Sequence, residues 1–159
     1  MNRPDVPGLG PHSKSFPHGA QPGALADIAQ RSWNVLANDL AFPLAVLKRS
    51  ALTHNLRWMQ DFAQRKGVYL APHGKTSMSP ELFAMQLEAG AWGLSFATVF
   101  QLGIGVAAGV RHAIIANQVL GAADLAGLQH LLRKHPDLRV WFLVDSIAQL
   151  RWIEAWADA

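Results

Sequence analysis

The stretch Pro72-His73-Gly74-Lys75-Thr76 follows the apolar run Val68-Tyr69-Leu70-Ala71 and gathers an imidazole, a primary amine and a hydroxyl within a few residues. Amine chemistry is the first possibility. A lysine held among apolar side chains loses hydration, which favours the neutral amine that attacks a carbonyl. The alternative is a solvated charge, the usual state of a lysine. Pro72 ends the hydrogen bonding of a short strand over Val68 to Ala71, so Lys75 is expected just past that strand's C-terminal end. Ligands of α/β proteins bind at such ends. Gly74 would let a ligand come close to the backbone there.

Three other places carry polar groups where a strand is expected to finish. Asn117-Gln118 follow a strand ending at Ala116, and either amide could reach a ligand or serve a turn or cap. Thr98 follows Ala97 and either faces a ligand or caps the next helix, and Asp145-Ser146 are similarly placed, with the cap preferred. The chain has no cysteine, which excludes disulfides, thiolate metal ligands and a cysteine nucleophile. Its seven histidines show no His-x3-His pair and no acid pattern of a hydrolytic zinc site, so no metal ligand is assigned. No serine lies on a G-x-S-x-G elbow. Gly103 to Gly109 lacks a Walker A lysine and reads as a helix with small residues for close packing.

The elements that must position these groups alternate. A short helix is expected over Asp27 to Asn38 and a strand over Phe42 to Leu47. Ser50 then opens a helix to Lys66, with Leu52, Leu56, Met59, Phe62 and Ala63 as its buried stripe and Gly67 as its stop. Ser79-Pro80-Glu81 is a cap, a first-turn proline and a first-turn acid, opening a helix through Ala89 that Gly90 closes. Strands at Gly93 to Ala97, His112 to Ala116 and Val140 to Val144 alternate with helices at Phe100 to Ala108 and Ala122 to His135. In the latter, Leu125, Leu128, Leu131 and Leu132 face inward. Ser146 caps a last helix with an apolar stripe of Ile147, Leu150, Ile153 and Trp156, and Trp92 is expected on a barrel floor.

Strands at intervals of roughly 20 to 27 residues, each followed by an amphipathic helix, indicate βαβ units and a parallel sheet. The class is α/β. Lys75, Thr98, Asn117 and Asp145 should share one rim. A closed (β/α)8 barrel needs about 250 residues, so on a barrel reading this chain is its first half. An exposed Trp152 and Trp156 at the chain end would agree with that truncation.

The chain has 159 residues, of which 50% are apolar and 16% charged, enough to bury a core in one domain. Its net charge of +3 is scattered, which argues against nucleic-acid binding. No apolar stretch approaches the roughly 18 residues of a membrane span, so a soluble protein without a membrane partner is expected. Residues 1–23 carry Pro4, Pro7, Pro11, Pro17 and Pro22 without the apolar core of a secretory signal, and read as a flexible arm before a partial barrel domain over 24–159. A cytoplasmic location fits the absence of cysteine.

Leu70-Ala71-Pro72-His73-Gly74-Lys75-Thr76-Ser77-Met78-Ser79-Pro80, then Gln86-Leu87-Glu88-Ala89-Gly90-Ala91-Trp92-Gly93 and Ala97-Thr98, resemble the D-threonine aldolase and D-serine dehydratase family. The bacterial members named amino acid deaminases are the nearest in pattern. These are alanine-racemase-like, fold-type III pyridoxal-phosphate enzymes, and the resemblance runs from about Pro43 to Asp145. The Pro-His-x-Lys-Thr match is specific, although Ala71 stands where many members have arginine.

The resemblance implies that this is the N-terminal part of a TIM-like barrel and that Lys75 carries pyridoxal 5'-phosphate covalently on the first barrel strand. His73 and Thr76 would flank the cofactor, with Asn117 in reach of its ring. The strand before Lys48 would belong partly to a second, β-rich domain, and Lys48 departs from the acid often found there. A divalent metal such as zinc would be held by a C-terminal part beyond Ala159, and the full-length protein would be a homodimer. The implied activity is that of a lyase on D-configured β-hydroxy amino acids, by dehydration and deamination or by retro-aldol cleavage, with the 159 residues inactive alone. Two other readings stand beside it: a pyridoxal-phosphate-binding protein without turnover, and a non-enzymatic doubly wound module in which Lys75 is merely solvated.

Overall fold

The computed structural model describes residues 8–157. The chain divides into two compact units, Met1–Lys48 and Arg49–Ala159.

In the first unit, Leu9 and Gly23 exchange backbone hydrogen bonds of 2.7 and 3.0 Å in an antiparallel bridge. Phe16 is buried inside the loop thus closed and meets Trp33 edge to face at 5.7 Å. Of the arm expected over 1–23, the first seven residues lie outside the described ones, and the boundary by compactness falls after Lys48 rather than at residue 23. The helix expected over Asp27 to Asn38 is instead two 3-10 stretches, Leu25–Arg31 and Val35–Ala37. Ser32 and Asn38 adopt left-handed φ values of 52° and 63°, which no continuous right-handed helix accommodates. Nor is there a strand over Phe42 to Leu47. Pro43 has no N–H to give, and Phe42, Val46 and Leu47 are exposed rather than set against a partner.

The second unit begins with α1 (Arg49–Lys66), one residue earlier than the expected cap at Ser50. Gly67, with φ of 63°, stops it, and Val68 N–H returns to Ala63 C=O at 3.1 Å. Of its expected stripe, Ala63 is buried, whereas Met59 and Phe62 are exposed. Then follow α2 (Pro80–Glu88), β1 (Leu94–Phe96), α3 (Val99–Ala107), β2 (His112–Gln118), α4 (Ala122–Lys134), β3 (Arg139–Leu143) and α5 (Ile147–Ala157). Three caps read from sequence are present: Ser79 accepts from Leu82 N–H at 3.4 Å, Thr98 from Gln101 N–H at 3.2 Å, and Ser146 from Gln149 N–H at 3.1 Å.

The strands pair in parallel in the order β1-β2-β3, so the class is α/β with a sequential parallel sheet. Register explains the core. Leu94, Ala113 and Val140 form one row across the sheet, and Phe96, Ile115 and Phe142 the next. Both rows pack on Phe83 of α2, Leu102 and Val106 of α3, and Leu125 and Leu128 of α4. The intervening row, Ser95, Ile114 and Trp141, takes the opposite face because side chains alternate along a strand. Gly93 allows β1 to approach β2: a Cβ there would lie 2.2 Å from His112 O.

Two expectations fail around this core. Leu132 is exposed, since the α4 face that meets the sheet is covered by Leu125, Leu128 and Leu131. Trp152 and Trp156, expected to be exposed, are partly buried and pack with Ile153 against the core; Ile147 and Leu150 are the exposed members of the apolar stripe expected on that helix. The reason for reading a truncation into those tryptophans is thereby removed. No helix among the described residues is long and apolar enough to cross a membrane.

Candidate functional site at the C-terminal edge of the sheet

Residues 70–74 extend the parallel sheet on the β1 side, although they were expected as an ordinary strand over Val68 to Ala71. Trp92 N–H bonds Leu70 C=O at 2.9 Å, Ser95 N–H bonds Pro72 C=O at 2.8 Å, and Gly74 N–H bonds Ser95 C=O at 2.8 Å. Only His73 and Ser95 form a regular bridge, because Pro72 cannot donate. Four chain segments therefore run in one direction, and the residues after them come to one edge. Lys75 follows Gly74, Thr98 follows β1, Asn117 is the penultimate residue of β2, and Asp145 follows β3.

Lys75 stands in a turn that starts from Gly74 and is closed by Met78 N–H to Gly74 C=O at 3.0 Å. Gly74 is needed for packing rather than for access to a ligand: a Cβ on it would lie 2.6 Å from Phe96 and 2.9 Å from Phe83, both fully buried. The turn that carries the lysine is thus seated directly on the core. Lys75 itself is exposed, so the desolvation expected from its apolar neighbours is not provided by the described residues. The one ion pair among the described residues is Arg111 with Asp137 at 3.0 Å, and these residues precede β2 and β3 at the opposite edge. No carboxylate among the described residues holds the Lys75 amine. Thr76 is exposed beside it.

The rest of the edge is stitched by amides. Asn117 belongs to β2, which runs two residues further than expected, and its side chain donates to Ala97 C=O at 2.9 Å. It is neither a turn nor a cap. Gln118 donates to the Asp145 carboxylate at 2.7 Å. Gln149, buried on α5, reaches Asp145 N–H at 3.2 Å and Leu143 C=O at 3.3 Å. Thr98 serves as the α3 cap, one of the two roles open to it. Thr98→Ala is therefore expected to cost about 1 kcal/mol in denaturant unfolding while leaving ligand binding at Lys75 unchanged. A loss of binding without loss of stability would contradict that assignment.

Sequence reasoning missed Ser95 and Gln149. For Ser95 the signal was present: a lone hydroxyl between Leu94 and Phe96 in a buried strand demands a partner. Its Oγ lies 3.0 Å from Ala71 O and 2.9 Å from His73 Nδ1. At the other edge, Trp92 meets His112 at 4.9 Å and Trp141 at 5.0 Å between ring centres, an aromatic cluster far along the strands from Lys75. A separate apolar cavity of about 530 Å³ lies between α1, Leu70, Pro72 and the end of α2, away from the amine. Among the described residues no group of three or more histidines and acids is placed to hold a metal ion. The donor set present does not fit a metal site.

No protein-family model matches the chain. A D-threonine aldolase of Arthrobacter sp. is 41% identical over 91 residues, covering 57% of this chain and 24% of that protein. The D-threo-3-hydroxyaspartate dehydratase of Delftia sp. (strain HT23) is 34% identical over 113 residues, covering 71% of this chain and 29% of that protein. The crystal structure of D-threonine aldolase from Filomicrobium marinum superposes with a TM-score of 0.69 at 31% identity, over 76% of this chain and 32% of that one. The chain thus spans about a quarter to a third of the length of the proteins it matches.

Proposed function

The chain is a homologue of D-threonine aldolase and D-threo-3-hydroxyaspartate dehydratase, and from that premise we propose that it supplies the cofactor-bearing segment of a pyridoxal-phosphate-dependent lyase acting on D-configured β-hydroxy amino acids. The observation that carries the reading is Lys75: an exposed amine without an ion-pair partner among the described residues, at the C-terminal edge of a parallel sheet, on a turn anchored by Gly74 to Phe83 and Phe96. A helix layer packed on one sheet face, with strands in sequential order, supports a barrel winding over a doubly wound one, whose strand order reverses.

The residues present fit the aldehyde end of the cofactor: Lys75 supplies the amine, with the Thr76 hydroxyl and the His73 imidazole on the same short segment. When bound, the cofactor supplies the electron sink that makes the substrate's α-hydrogen acidic. Lys75 would hold the cofactor in place, give way to the substrate's amine, and then be free to take the proton from the substrate's α-carbon. The anchored turn would fix where that amine stands, which is the protein's share of the work. His73 and Thr76 would orient polar groups beside it, and Asn117, with its Nδ2 engaged, would have its carbonyl oxygen left to offer.

With no strand over Phe42 to Leu47, that segment no longer speaks for a two-domain enzyme over a cofactor-binding protein without turnover. The choice of enzyme rests on the relatives, named as an aldolase and a dehydratase. Because the chain spans about a quarter to a third of their length, we propose that the 159 residues alone bind the cofactor without turning over substrate. Titration with pyridoxal 5'-phosphate is expected to give the visible absorbance of a lysine-bound form, and D-threonine or D-serine should then yield no product. A chain that stays colourless would favour the solvated-lysine reading, and robust turnover would show that the site is complete here.

A further inference from the structure

Ser95 is 5% exposed, and its hydroxyl has two neighbours but only one proton. Ala71 O can only accept, and among the described residues Ser95 is its hydrogen-bond donor, because the backbone ladder passes through Leu70 O and Pro72 O instead. The serine proton therefore goes to Ala71. The lone pair left on Ser95 Oγ faces His73 Nδ1 at 2.9 Å, so that nitrogen must carry a proton and donate. Histidine free in water prefers the other neutral tautomer, with the proton on Nε2. Parallel pairing of His73 with Ser95 brings the two side chains together, and a serine proton given to Ala71 O favours the less common one.

We propose that Ser95 is a positioning residue that holds the His73 imidazole in its Nδ1–H tautomer, so that Nε2, two residues before Lys75, is presented as a hydrogen-bond acceptor to a hydroxyl or ammonium group of a bound ligand. Nε2 makes no hydrogen bond to the described residues, and His73 is exposed, which leaves that nitrogen free for such a partner. With the proton on Nε2 instead, His73 would offer a donor at the same place and repel an ammonium. The role toward a ligand rests on the reading of Lys75 above, whereas the tautomer does not.

The test is a long-range proton–nitrogen correlation spectrum of the protein labelled with 15N at histidine, recorded above the histidine titration range and assigned by the signal lost in His73→Gln. Expected for His73 is a protonated-type Nδ1 and a bare Nε2. Ser95→Ala should move the population toward Nε2–H, and Ser95→Thr, which keeps the hydroxyl, should restore the original pattern. A native His73 carrying its proton on Nε2 would overturn the proposal even if neither variant folds, as would a pattern unmoved by Ser95→Ala. Adding pyridoxal 5'-phosphate should shift His73 Nε2. An unmoved Nε2 in protein whose Lys75 is labelled would remove the acceptor role while leaving the lysine assignment intact.

Discussion

Phe96→Ala is expected to lower the unfolding free energy by about 3–5 kcal/mol, the range for deleting a fully buried aromatic side chain. Phe96 is 0% exposed and meets Phe83 edge to face at 5.7 Å. It is also the side chain on which two glycines close: a Cβ at Gly74 would lie 2.6 Å from it, and one at Gly105 2.3 Å. Those approaches leave little room for neighbours to collapse into the vacated volume, so the cost should fall at the upper end. Small domains have about 5–15 kcal/mol in total, and the variant should therefore lose a large share of its stability. Denaturant titration followed by circular dichroism measures this. A loss below about 1 kcal/mol would mean that the Gly74 turn does not rest on Phe96 as described, against the 3–5 kcal/mol expected.

The second large effect is chemical and leaves the fold alone. Lys75→Ala removes an exposed side chain that makes no ion pair or hydrogen bond with the described residues, so stability should change by no more than about 0.5 kcal/mol. Covalent attachment of pyridoxal 5'-phosphate should be lost completely, because no other amine stands in that turn. Comparing absorbance after cofactor addition with unfolding curves separates the two. Retained attachment with an unchanged fold would place the cofactor elsewhere, whereas lost attachment together with lost stability would make Lys75 a structural residue.

The pairing of these variants reflects what could be read from residues alone. Local signals with a direct chemical cause were legible: Ser79, Thr98 and Ser146 cap the helices they were read to open, and Gly67 and Gly90 stand at helix ends with left-handed φ values of 63° and 103°. Parallel strands in sequence order followed from the βα alternation. Features that depend on a distant partner were not legible. Phe42 to Leu47 is apolar enough for a strand but has no paired neighbour, and Leu132 repeats at helical spacing yet lies outside the face that α4 turns to the sheet. Gly74 looked like room for a ligand, and only the register that brings Phe83 and Phe96 beneath it shows that it is room for the core. Asn117 and Ser95 have their meaning in bonds to Ala97 and to the Ala71–His73 segment, more than 19 residues away in each case.

The most direct test of the account is reduction with borohydride after pyridoxal 5'-phosphate is added to the native chain, followed by proteolysis and mass mapping of the labelled peptide. The chain has four other lysines, Lys14, Lys48, Lys66 and Lys134, which serve as internal controls for indiscriminate reaction. Label confined to Lys75 at cofactor concentrations near that of the protein is the predicted result. Label spread over all the lysines, or placed on another of them, would contradict the assignment of Lys75 as the residue that carries the cofactor.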